Sequence, residues 1–298
     1  MKLNQLIYKP IVQNMPIKYL TLLLVLCCAS FGLYAQETPQ PPYWELSAGD
    51  TAMVFADKAY IRDLPGMNGT TVVDSLSAGM TVKIMSEVPE TSTVRGFNAN
   101  WYQVRYHKDG QSQQGYIWLG MLALRQTRID NGKTVLYGFE RYTPAVNNKS
   151  AFYTCGLKLL DEQRNVLAQQ TFAFDYSEQS YTEIKGLTGM GLKGLRNIVR
   201  IGFLGEACAI PSNFYYFGWN GSRFIPLPEA YRVSDAGVYY YTEQMLFPSE
   251  HKKDANFIYK MIEEGEALDE DNGKEIRYKT RKKKVTYLWD GKGYVKKK

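Results

Sequence analysis

Apolar and polar residues alternate along most of this chain in short runs, and the runs come close together. Between residues 49 and 125 they are "TAMVFA", "KAYIRDLPG", "TTVVDSL", "AGMTVKIMSEV" with Val82 and Ile84 in phase, "NWYQVRYH" and "GYIWLGML". A period of two places successive side chains on opposite faces of a strand, and Pro-Gly or Gly turns bound several of these runs. The pattern predicts five or six short strands in about 75 residues, the content of a small barrel. Residues 89–98 read as a polar loop, and "KDGQSQQ" joins the last two strands as a hairpin.

Past residue 126 the same alternation continues through "KTVLYGFERY", "AFYTCGLKLL", "VLAQQTFAF", "NIVRIGFLG", "GVYYYTEQMLF" and "FIYKMIEE". No long helical period occurs, and "NFIYKMIEEGEALDE" reads as a strand rather than a short helix. Polar turns between neighbours predict an antiparallel meander over 126–298. "YYFGWNGSRFIP" at 215–226 and "TYLWDGKGYVKK" at 286–297 share the order aromatic, x, Trp, Asn or Asp, Gly, x, x, aromatic. Asn-Gly and Asp-Gly favour type I′ hairpin turns, so each segment predicts a tight hairpin with Trp219 facing Phe224 and Trp289 facing Tyr294. The two tryptophans are 70 positions apart, against ~40–50 residues for a usual propeller blade, and a sandwich and a propeller-like arrangement both stay open. The fold class is all-β: a small barrel followed by an antiparallel β domain.

The first 48 residues break the pattern. "MPIKYLTLLLVLCCASFGLYAQ" has Lys18, an apolar run from Leu20 to Leu26 and the small Ala35 ahead of Gln36, the three regions of a secretory signal peptide, with Met15 as a plausible start. The run is short of the ~20 apolar residues of a membrane span, so the expectation is cleavage of residues 1–35, export, and no transmembrane segment afterwards. Lipidation at Cys27 or Cys28 fits less well, because Leu26 or Cys27 would precede the modified cysteine. Residues 36–48, with three prolines in "TPQPP", read as an extended linker.

Composition agrees: 45% hydrophobic and 14% aromatic residues, with 23 Tyr, suit packed β structure. Removing Lys2, Lys9 and Lys18 with the signal leaves 33 basic against 30 acidic residues, and nine of the basic ones fall in 279–298 beside one Asp. "KTRKKK" in that segment either meets an anionic partner or guards an exposed edge strand against unwanted pairing. Export argues against nucleic acid. Cys155 and Cys208 are the two cysteines left, and in an oxidising compartment the expectation is a disulfide between them; two buried thiols, or a nucleophile at Cys155, are the rival readings.

The segment from Gly49 to Leu124 resembles the bacterial SH3 (SH3b) family. "AYIRDLPG", "TTVVDSLSAGMTVKI", "NWYQVRY" and "GYIWLGML" follow its order and spacing: Ile61-Arg62 stand for its Val-Arg, Pro65 for its Pro, Gly79 for its turn Gly, and Trp101 with Val104 for its Trp-x-x-Val. Tyr60, Leu64 and Tyr116 replace the family's Asn, Gly and second Trp. The resemblance implies an SH3-like barrel that docks on cell-wall peptide or on an envelope protein. On strand alternation, Trp101, Gln103 and Arg105 share one side, and Tyr116 and Trp118 point away from Ile117 and Leu119. The candidate groove residues are therefore Tyr60, Arg62, Trp101, Tyr116 and Trp118, whose flat rings and charge suit a sugar or peptide. The same rings would equally suit packing against the second domain.

Catalytic signatures are missing from the sequence. His107 and His251 are its two histidines, "FYTCGLKL" lacks the surroundings of a wall-peptidase cysteine, and no phosphate loop, metal helix or nucleophile elbow is present. "LDEDNGKEI", with Asp269, Asp271 and Gly273, resembles half a calcium loop, but its Gly comes one place early and the closing Glu is missing. No metal or cofactor is expected. The reading is an exported, non-enzymatic binding or scaffold protein; the alternative is a wall or glycan hydrolase with a carboxylate site in the C-terminal domain.

Overall fold

The computed structural model describes residues 40–130, 132–147, 149–268 and 276–297, which form nineteen strands in three antiparallel sheets, a 3-10 turn, Leu119–Met121, and an α-helical turn, Pro248–His251. The expected all-β class holds. The signal segment 1–35 with Met15, Cys27 and Cys28, and the calcium-like positions Asp269, Asp271 and Gly273, lie outside the described residues. Among the described residues no helix is long and apolar enough to cross a membrane.

The first sheet holds β1 (Thr51–Met53), β2 (Lys58–Arg62), β3 (Val72–Ser77), β4 (Thr81–Val94), β5 (Phe97–Lys108) and β6 (Gln111–Trp118) in the spatial order β1-β4-β5-β6-β2-β3. It curls into a half-barrel over Val54, Ala59, Ile61, Leu76, Val82, Ile84, Val104 and Ile117, all buried. The expected polar loop at 89–98 is instead a continuation of the β4–β5 hairpin, which turns only at Arg95-Gly96, both with positive φ. β5 explains the extension. Its second half buries Tyr102, Val104 and Tyr106 in the barrel, while its first half buries the opposite face, Phe97, Ala99 and Trp101, against the rest of the molecule. Two register shifts in β4, at Ile84/Ser86 and Val88/Thr91, accompany that exchange of faces.

The second sheet is a meander, β7 (Arg125–Ile129), β8 (Lys133–Thr143), β9 (Phe152–Leu160) and β10 (Val166–Phe174), in the order β10-β9-β8-β7. β8 and β9 are near-continuously buried because both faces are covered. One face carries Tyr137, Phe139, Tyr153, Cys155 and Leu157. The other receives Phe55 of the barrel at a bare spot formed by the cross-strand pair Gly138 and Gly156. A Cβ on either glycine would stand 2.7 Å from the Phe55 ring. Beside it the buried Lys158 donates to Phe55 O (2.9 Å) and to Asp57 Oδ1 (2.6 Å), with its ammonium 4.7 Å from the Phe55 ring centre.

The third sheet has nine strands: β11 (Tyr181–Thr188), β12 (Asn197–Leu204), β13 (Ser212–Trp219), β14 (Phe224–Pro226), β15 (Ala230–Asp235), β16 (Tyr239–Leu246), β17 (Phe257–Ala267), β18 (Tyr278–Trp289) and β19 (Tyr294–Lys296). Its first strands lie face to face with the second sheet. Phe174 stacks on Phe203 at 3.7 Å, Phe172 meets Tyr215 at 4.7 Å, and Tyr137 hydrogen-bonds Thr182. The arrangement is a sandwich, which removes the propeller-like option. From β15 to β18 most positions on both faces are partly or fully exposed.

Three further expectations meet the structure here. The two Trp-centred hairpins form, with Trp219 opposite Phe224 and Trp289 opposite Tyr294. Their turns are not type I′, however: only Gly221 and Gly291 have positive φ, and Asn220 and Asp290 use their side-chain oxygens to accept the N–H groups two and three residues on. Of the expected linker, residues 40–48 are extended but packed. Tyr43 is fully buried among Phe139, Phe174 and Phe203, and Trp44 stacks on Phe97 and donates to Leu122 O (3.2 Å). Prolines set the extension, and the two rings after them make the segment a strap across the barrel–sandwich junction.

Candidate functional site

Strand register places all five proposed groove residues on one face of the barrel. Trp101 is opposite Trp118 and Gln103 opposite Tyr116 across β5–β6, Tyr116 is opposite Arg62 across β6–β2, and Tyr60 lies two positions before Arg62. The structure then divides them. Trp101 and Trp118 are 2% and 1% exposed. Trp101 Nε1 donates to Ser92 Oγ (2.9 Å), Trp118 Nε1 donates to Ser92 O (2.9 Å) and Ala99 O (3.1 Å), and the Trp118 ring lies 4.9 Å from Phe97. Phe97 in turn touches Phe139 and Tyr153 of the second sheet. These two tryptophans therefore line no open groove. The long β4–β5 hairpin covers that end of the face, and Phe97 carries the packing on to the second sheet.

The other end is open. Tyr60 is 45% exposed with the Lys58 ammonium 5.3 Å from its ring centre, Tyr116 is half-buried, and Val72, the register partner of Arg62, is exposed. Val73, at the bulge in β3, is 54% exposed, and Leu64 and Met67 stand out from the β2–β3 connection. That connection is pinned from within. Arg62 Nη1 donates to Thr70 O (3.0 Å) and Oγ1 (2.8 Å), and Asp63 Oδ1 accepts the N–H groups of Thr71 (2.7 Å) and Leu64 (2.9 Å). The Thr71 N–H is the main reason that the Asp63 carboxyl sits below its usual range. Arg62 thus holds the loop rather than reaching for a ligand. Sequence reasoning passed over Leu64, Met67, Val72 and Val73; the signal was apolar residues in a turn-rich stretch, where the chain has no interior to put them in.

β3 is also the edge of its sheet, with no strand beyond it among the described residues. Its one charge, Asp74, is engaged inward by Lys108 Nζ and by Tyr106 Oη (3.0 Å). Burial pushes the Asp74 carboxyl up, but Lys108, the Ser75 N–H and Tyr106 together outweigh it and leave it below its usual range. Burial and the same carboxylate push the Tyr106 hydroxyl up to about 12. Side chains cap this edge at Ser75, whose carbonyl accepts from Lys108 Nζ (3.0 Å) and whose N–H donates to Asp74 Oδ1 (2.7 Å), while at its Val72–Val73 end the edge lies beside exposed apolar side chains with no lysine or proline in β3 itself.

Cys155 and Cys208 are both free thiols, so the expected disulfide is not formed. Cys155 faces the interior of the sandwich and is fully buried, while Cys208 is exposed on the β12–β13 connection, at a cleft of about 450 Å³ beside Arg232 and Tyr240. Burial, aided by Glu140, pushes the Cys155 thiol well above its ordinary range, the opposite of what a thiolate nucleophile needs. His251 is bound up with Phe257 O (2.9 Å) and the Tyr259 ring. No family model, no curated protein and no solved structure matches this chain.

Proposed function

We propose that this protein is an exported binding or scaffold protein of the bacterial cell envelope, without catalysis of its own, that docks a wall peptide or an envelope protein on its SH3-like barrel. The observation that carries this reading is the open end of the barrel's outer face: Tyr60, Leu64, Met67, Val72 and Val73 all project within residues 60–73, next to the Val72–Val73 end of the edge strand β3. An extended segment could pair with that edge through its backbone and set alternate side chains among these residues, the common mode of strand addition. The internally pinned β2–β3 connection supports it, since a preorganised surface loses little freedom on binding. Retention of the purified protein on sacculi and on immobilised envelope proteins tests the reading. A double variant, Tyr60→Ser with Val72→Ser, is expected to lose retention while staying folded.

The hydrolase alternative has one specific observation behind it. Glu229 is, among the described residues, the carboxyl raised above its usual range; burial of its surroundings raises it, Lys260 opposes and Asp175 adds. Its side chain nonetheless lies at the surface. Release of soluble fragments from sacculi by the wild type, abolished by Glu229→Gln, would favour that alternative.

A further inference from the structure

Strand register at the far end of the third sheet builds an amphipathic patch that the barrel reading does not use. On one face of β17–β18–β19 the side chains fall into rows. Phe257, Leu288 and Val295 are directly opposite one another, and the next row is Tyr259, Thr286 and Lys297, the last tied in by its N–H to Thr286 O (2.8 Å). Met261 and Lys284 follow. Leu288 is 37% and Val295 69% exposed, the latter the most exposed large apolar side chain among the described residues. Lys284 Nζ lies 4.7 Å from the Tyr259 ring centre and Lys297 Nζ 4.5 Å from that of Phe257.

The charges around the patch are unbalanced in a way that register explains. Further along β18, Arg281 and Lys282 stand opposite Glu264 and Glu263 and pair with them. Lys283 and Lys284 stand opposite Ile262 and Met261 instead, and Lys296 and Lys297 come from β19 and the residue after it. None of these four has an acidic partner among the described residues. Lys252 and Lys253 are exposed next to His251, whose ring packs on Tyr259. Of the nearby acids, Asp290 is turned into the β18–β19 turn and Asp254 accepts the Asn256 N–H. The hairpin is firmly based, since Trp289 Nε1 donates to Lys193 O (2.9 Å).

An exposed apolar row flanked by unpaired lysines is what an anionic bilayer surface accepts, with apolar groups at the acyl boundary and ammonium groups among the phosphates. A soluble polyanion would use the lysines and leave Val295 and Leu288 in water. We infer that the Phe257–Leu288–Val295 face, with Lys284, Lys296 and Lys297, is a docking surface for an anionic lipid membrane, separate from the barrel's outer face.

The test is co-sedimentation of the protein with phosphatidylcholine vesicles, with and without phosphatidylglycerol, over a salt series. Wild type is expected to bind the phosphatidylglycerol vesicles, more weakly as salt rises. Lys284→Gln with Lys297→Gln should lower partitioning by about five-fold per lysine. Val295→Asn, which keeps the charge, should lower it several-fold, and Lys279→Gln, at the distal end of β18, should change it little. Equal binding to both vesicle types overturns the inference. So does wild-type binding by Val295→Asn, or full displacement by soluble polyphosphate, either of which would reduce the patch to a general polyanion surface. The barrel variant Tyr60→Ser with Val72→Ser should bind vesicles normally, so the two proposals can fail separately.

Discussion

The two ends of the barrel's outer face began with the same credentials and met different fates. Trp101 and Trp118 share a face with Tyr60, Arg62 and Tyr116, and alternation along β2, β5 and β6 puts all five on the side away from Ile61, Val104 and Ile117. One end is sealed by Phe97, Ser92 and the sandwich; the other is left open beside the edge strand β3. Strand periodicity assigns a residue to a face. What lies over that face is decided by segments far away in sequence, and aromatic content does not distinguish a binding ring from a packing one.

The largest effect should come from the sealed end. Trp118→Ala removes a fully buried indole and two hydrogen bonds, and chemical denaturation should show a loss of about 3–5 kcal/mol. A loss under about 1 kcal/mol would mean that this end is not sealed in solution. Next comes the junction itself. Gly156→Val would drive a side chain into the Phe55 ring and Glu140, at an expected cost of about 1–3 kcal/mol, with both the barrel and the sandwich affected because Phe55 joins them. Lys158→Met keeps the apolar stem but leaves Phe55 O without its donor; about 1–3 kcal/mol is expected, and the crystal structure of the variant should show Phe55 displaced.

A smaller effect belongs to the open end's inner wall and depends on pH. Because the folded Asp74 carboxyl sits below its usual range, its ionised form stabilises the fold. The contribution is complete above the unfolded value of about 3.9 and disappears as pH falls through the lower, folded value. Asp74→Asn should therefore cost about 1–2 kcal/mol at neutral pH and nothing once both forms are protonated. Parallel stability curves for the two proteins down to strong acid would contradict this. Smallest of all, Tyr60→Ser should change stability by no more than about 0.5 kcal/mol.

Much of the architecture was legible beforehand because it rests on local signals. Period-two runs marked nearly every strand, and the Trp219 and Trp289 segments announced their hairpins through Asn-Gly and Asp-Gly, even though the turns close through Asn220 and Asp290 side chains. The features that join the parts were not legible. Proline density marked residues 36–48 as extended, which holds over 40–48, yet Tyr43 and Trp44 turn that segment into a packed strap. Gly138 and Gly156 sit inside strand-like runs, and interior glycines do signal close approach by another group. Nothing local says that the group is Phe55. The cysteine count suggested a bridge between Cys155 and Cys208, but counting cannot see that one thiol faces a core and the other solvent. In the basic segment, register separates paired from unpaired charge. Lys282 and Arg281 pair with the glutamates of β17 where β18 runs on past its pairing with β19, while Lys283, Lys284, Lys296 and Lys297 have no acidic partner among the described residues.

On the proposed function, binding belongs to the open end of the barrel face and packing to the sealed end. The most direct measurement compares retention on sacculi and envelope proteins for the wild type, Tyr60→Ser with Val72→Ser, and Trp118→Phe, a change that keeps a large ring in the core, with the melting temperature of each recorded alongside. The account predicts that the double variant loses retention at an unchanged melting temperature, while Trp118→Phe keeps retention and melts lower. Full retention by the double variant, or loss of retention by Trp118→Phe at an unchanged melting temperature, would contradict it.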